Sequence, residues 1–300
     1  MGRCDLCRDV TSCPICGSSV RTFEHIGVRG ITNRVGIPVV GVKLTIDQHA
    51  SGIWHYAQPC GHRIHPSSRA ALQAVGVKYN GGPLWKDGYM WQNVYWGQYF
   101  GTAAGLSWVK SVDKATADIE ADRDYSGGLR QYNVGIGKLT NTIMISRDPP
   151  KQVSDQQIQK ALVDWITNGT VPNLGQAGAY NIFLPPSTSA SLSSDMSCAQ
   201  FCDYHNTVNG STGPFYTVEP YPCSQGCNQC TNSPLDTLTQ GLSEELIELK
   251  TDMEPGTGWV IGNLELCDFC DANFVCNRIS TGEYVNSWYD KTKAACWIGK

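Results

Sequence analysis

Residues 234–252 read PLDTLTQGLSEELIELKTD, and the fold class turns on this stretch. A helix is expected to begin near Pro234 and run to about Thr251. Leu235, Leu238, Leu242, Leu246 and Leu249 fall within about 80° of one another at 100° per residue, which makes one apolar stripe. Glu244 and Glu248 stand four apart, hence on one face away from the leucines, with Glu245 between them. A solvated acidic face on an amphipathic helix is the simplest reading of them.

Outward from this helix the chain alternates short strands and helices without a regular βαβ rhythm, so the expected class is α+β. Ser154 and Gln157 form a capping-box pattern ahead of the Ile158, Ala161, Leu162, Trp165, Ile166 stripe, which predicts a helix from Ser154 to about Asn168. Strands are expected at Val39 to Ile46, Gln92 to Tyr95, Thr142 to Ser146, Tyr180 to Leu184 and Phe215 to Val218. Seven aromatics crowd residues 85–100, WKDGYMWQNVYWGQYF, chiefly as core; an outward row could stack on carbohydrate.

With 300 residues, 41% hydrophobic and 17% charged, the chain can bury a sizeable core. A net charge of −4 without basic runs argues against nucleic acid, and no apolar run reaches membrane-spanning length. The N-terminal MGRCDLCRDV lacks a signal peptide's apolar core, which favours the cytoplasm; sequons at Asn168 and Asn209 point the other way.

The fourteen cysteines cluster: five between Cys4 and Cys60, nine between Cys198 and Cys296. Cys4-x-x-Cys7 and Cys13-x-x-Cys16 are knuckles that bring thiolate pairs to a tetrahedral ion, and zinc is the expected metal. Cys60, His62 and His65, in HYAQPCGHRIH (residues 55–65), are further candidate ligands. Their Cys-x-His-x-x-His spacing resembles the centre of RING-type zinc modules, but no paired cysteine follows His65. One four-cysteine site, or two sites completed by His25, His49 or His55, both remain open. Residues 1–66 are thus expected to form a zinc module and 67–300 a separate domain. The nine later cysteines suit either disulfides or, with His205 nearby, another zinc; their odd number leaves at least one thiol unless it binds metal or bridges to another chain.

Several short motifs follow one another along the chain: Gly81-Gly82-Pro83, Val94-Tyr95-Trp96-Gly97, the helix from Ser154, Leu184-Pro185-Pro186, Tyr204-His205 and Pro220-Tyr221-Pro222-Cys223. Ser243 to Glu248, Thr251-Asp252, Gly258-Trp259, Glu265 to Cys270, Tyr284 to Trp288 and Cys296 complete the set, over about residues 77 to 297. In order and spacing the set resembles the Exordium/phosphate-induced-protein group. The resemblance implies a zincin-like domain in a largely secreted family, with a His-Glu-x-x-Glu helix. Carried over, Glu248 and either Glu265 or Asp268 would be ligands, with Glu245 as the base. Glu244, however, stands where that family has histidine. Carboxylate for imidazole hardens the site towards calcium or another divalent cation and acidifies a bound water less. The leading expectation is therefore a metal-stabilised, non-catalytic binding or assembly protein, a pseudoenzyme engaging a protein partner or itself. The alternatives are a metal-dependent hydrolase working through Glu245 and a self-assembling structural subunit.

Overall fold

A computed structural model describes residues 31–39, 42–49, 54–56, 76–222, 227, 230, 233–271 and 276–299. Cys4, Cys7, Cys13, Cys16, Cys60, His62 and His65 lie outside these residues. In the first segments β1 (Ile31–Val39) pairs antiparallel with β2 (Val42–His49), which pairs with β3 (Trp54–Tyr56). The single strand expected from Val39 to Ile46 is instead the end of one strand and the start of the next, with Val39 opposite Val42.

The main domain mixes helices and sheets, as the α+β expectation required. After β4 (Val77–Tyr79) comes β5 (Met90–Trp96), then α1 (Ala103–Ala121) and the strands β6 (Lys138–Leu139) and β7 (Ile143–Ile145). Next are β8 (Gln152–Ser154), α2 (Asp155–Thr167), β9 (Gly178–Phe183), β10 (Ser189–Leu192) and β11 (Asp195–Met196). The chain continues through β12 (Tyr204–Thr207), β13 (Phe215–Glu219), α3 (Pro234–Thr251), β14 (Trp259–Ile261) and the short α4 (Asp268–Asp271). The last four strands form two small hairpins between Asn277 and Cys296.

The central sheet runs β12-β13-β9-β5-β6, with β7 also on β5. Its pairings are parallel except at the edge, where β12 runs antiparallel to β13. Alternation along the strands gives each face its own core. Val94, Tyr180, Ile182, Tyr216 and Val218 pack with Ile158 and Leu162 of α2. Trp91, Tyr95, Ala179, Phe183 and Phe215 pack with α1 and α3. The capping box at Ser154 and Gln157 is present in both directions.

One row on the α1/α3 face is polar. Asn93, Asn181, Thr217 and His205 stand opposite one another across β5, β9, β13 and β12. Asn181 donates to Asn93 at 2.8 Å, Thr217 donates to Asn181 at 3.2 Å, and Asn93 donates to Asp113 of α1 at 2.8 Å. Asn93, Asn181 and Thr217 are fully buried, so these bonds replace water the amides have lost. Among the described residues, no helix is long and apolar enough to cross a membrane.

Candidate metal centre

Helix α3 does not present a solvated acidic face. From Thr237 to Thr251 every residue except Glu244 is buried, because α1 and the sheet cover one side and the segment after β14 covers the other. Ser233 caps its start and Ser243 Oγ accepts from the Asn286 amide at 2.8 Å, which ties the C-terminal hairpins to the helix. Lys250 points away from the acids and pairs with Glu120 of α1 at 2.9 Å; both side chains are enclosed.

The carboxylates converge from four places. Glu244, Glu245 and Glu248 come from α3 and Asp252 from its C-cap; Glu265 comes from the turn leading into α4 and Asp268 from the first residue of that helix. Asp203 precedes β12 and Glu219 ends β13. Ligand atoms of Glu244, Glu248 and Asp268 lie within 4.8 Å of one another, and so do those of His205, Glu248 and Glu265. Both groups share Glu248.

His205 supplies an imidazole that the helix itself lacks. Its Nδ1 is 3.0 Å from Glu245 Oε2, while Nε2 is 3.1 Å from the Asp252 carbonyl and 3.4 Å from Glu265 Oε1. Gly241 makes room for Asp203: a Cβ there would meet the Asp203 carboxylate at 1.7 Å. Asp252 is occupied differently, accepting from the amides of Gly256, Thr257 and Gly258 at 2.6 to 2.9 Å, and so closes the turn after α3.

Burial dominates the electrostatics. It holds the His205 imidazole down, to about 4, and raises Asp203 to about 6. Burial also pushes Glu219, Glu245, Glu248 and Glu265 well above the ordinary carboxyl range, and the neighbouring acids add to the effect. Among the described residues, no lysine or arginine pairs with Glu219, Glu245, Glu248, Asp252 or Glu265. Among the described residues no well-aligned hydrogen-bond donor meets either oxygen of Glu219 or Oε1 of Glu265, although Thr217 lies close to the Glu219 carboxyl group. Desolvated carboxylates in this number must be protonated or share a cation.

Of the residues singled out from sequence, Glu244, Glu248, Glu265 and Asp268 thus come together around one helix, whereas Glu245 turns aside to His205 and Asp203. The sequence places His205 only beside the later cysteines and in the Tyr204-His205 motif, and Asp203 and Glu219 carry no signal beyond being acidic. The cysteines near His205 are engaged elsewhere: Cys202–Cys227, Cys230–Cys276 and Cys270–Cys296 are disulfides. Cys267 retains its thiol, buried with Sγ 4.0 Å from the Glu244 carbonyl.

Fold and site together define a cysteine-rich α+β domain, cross-linked by disulfides, with acidic groups that could hold a metal. Comparison with family models, with curated proteins and with solved structures finds no match to this chain.

Proposed function

We propose that this protein is a metal-stabilised, non-catalytic binding or assembly protein whose main domain carries a degenerate, zincin-like helix. The observation that carries this reading is the surplus of buried carboxylate around α3, which a divalent cation would neutralise. His205, Glu248 and Glu265 offer one nitrogen and two oxygen donors from three separate segments, so a shared ion would tie β12, α3 and the turn before α4 together. Such an ion contributes folding free energy directly, because the unfolded chain has no preformed site.

The environment of Glu245 argues against turnover. A general base needs a water and a substrate within reach. Glu245 is 4% exposed and engaged by His205 and Asp203. The metal-dependent hydrolase stays in view for one reason: His205 restores an imidazole beside Glu248. Zinc at Cys4, Cys7, Cys13 and Cys16, with Cys60, His62 and His65 as further ligands, belongs to the same proposal, as does the Exordium-like kinship. So do a protein partner or a second copy as the binding target.

Elemental analysis of the purified full chain, followed by melting before and after chelation, tests the reading. Bound divalent metal and a melting temperature lowered by several degrees on chelation are expected. A metal-free protein whose melting is indifferent to chelator and to added divalent ions would overturn it. Hydrolysis of a peptide library by wild type, abolished in Glu245→Gln, would favour the enzyme instead.

A further inference from the structure

We infer that His205 is the nitrogen ligand of this centre and Glu245 its orienting carboxylate. The site therefore selects a first-row transition ion over calcium or magnesium. This deepens the metal reading above and rests on it.

The argument begins with the two ring nitrogens. Histidine ligands in metal sites commonly use their second nitrogen to donate to a carboxylate, which fixes tautomer and ring orientation and raises the basicity of the ligating nitrogen. His205 has that arrangement. Nδ1 faces Glu245 Oε2 at 3.0 Å, and Asp203 sits behind Glu245, admitted by the bare Cα of Gly241. Nε2 faces the other way, towards Glu265 Oε1, and a ring nitrogen of His205 lies within 4.8 Å of ligand atoms of both Glu248 and Glu265.

The remaining donors are consistent with this. Nε2 and Glu265 Oε1 are 3.4 Å apart, an edge length that suits donors about 2.1 Å from a common tetrahedral ion. Among the described residues Glu265 Oε1 meets no well-aligned hydrogen-bond donor, and its carboxyl group lies against those of Asp252 and Glu248. Glu248 uses Oε1 to accept from the Asp268 amide at 3.2 Å, which holds its carboxylate in place. Nε2 lies 3.1 Å from the Asp252 carbonyl, and a metal held at Nε2 would take the place of that contact.

Selectivity follows from donor type. Calcium and magnesium take oxygen donors and gain little from imidazole, whereas manganese, iron and zinc accept it readily. Glu244 would on its own harden the site; an imidazole arriving from β12 offsets that. Glu245, on this account, is a positioning residue.

Manganese is the probe of choice, because thiolate sites elsewhere in the chain favour softer ions. Chelator-stripped full-length protein is loaded with Mn²⁺, examined by pulsed EPR for imidazole ¹⁴N coupling, and challenged with Ca²⁺. A single ¹⁴N coupling, with Mn²⁺ retained against about a hundredfold excess of Ca²⁺, is the expected result. His205→Gln should abolish the coupling, and Glu245→Gln should keep it while weakening Mn²⁺ binding about 10- to 100-fold. The wild-type spectrum and the calcium challenge decide the matter even if His205→Gln does not fold. Binding of Mn²⁺ without ¹⁴N coupling, or ready displacement by Ca²⁺, overturns this inference and leaves the cation site standing. Binding of neither ion overturns both.

Discussion

At the scale of single residues, Gly241 and Asp203 show how little slack the centre has. A methyl group at 241 would run into the Asp203 carboxylate, whose displacement would disturb Glu245 in turn. Gly241→Ala should cost about 1–3 kcal/mol in urea unfolding, despite alanine's better helix propensity. A neutral or stabilising result would mean that Asp203 moves away freely. Glu244, Glu245 and Glu248 were legible in sequence because helical periodicity puts them within one turn and a half. His205 was not, because residues 205, 248 and 265 are joined only through strand pairing and the packing of a helix across it, neither of which leaves a spacing rule.

At the scale of elements, α2 and α3 match the sequence expectation almost to the residue, since each has an unbroken apolar stripe and α2 a capping box as well. Four core strands were found within a few residues of their ends. Helix α1 carries no such signal in the sequence. Its buried positions include Gly105, Thr116 and Glu120, so its inner face does not look apolar. Those polar positions have partners only in three dimensions: Glu120 accepts from Trp91 and Lys250, and Thr116 accepts from Asn93. The Lys250–Glu120 pair is the seam between α1 and α3. Lys250→Met leaves Glu120 buried without its cation and should destabilise the domain by about 3–5 kcal/mol. Adding Glu120→Gln should recover much of that loss, and a double-mutant cycle from urea melts would show the coupling.

At the scale of the whole molecule, the acidic centre sets the response to pH. Asp203, raised to about 6, and the more strongly raised Glu219, Glu245, Glu248 and Glu265 bind protons more tightly folded than unfolded. Their stabilisation is full below the ordinary carboxyl range and is lost as pH rises through the folded values. Chelated protein should therefore melt progressively lower from about pH 5 upward. His205 has the opposite sign: held down to about 4, it withdraws stability as pH falls from its ordinary value towards 4. Divalent ions should reverse the alkaline trend, because deprotonated ligands bind them better. Melting curves across pH 4 to about 8, with and without Mn²⁺, would show the two lines diverging; parallel lines would refute the coupling. The polar row from Asn93 to His205 bears on how the sheet finds its pairing in the first place. Apolar alternation repeats every two residues, so it cannot tell a correct alignment from one slipped by two. A slip of two would press an amide against the Trp91 or Tyr95 row, and the buried amides would lose their partners. The row is thus a reading frame for the strands: once Asn93 has met Asp113, Asn181 and Thr217 have one place to go, and His205 is delivered opposite α3 by the same count.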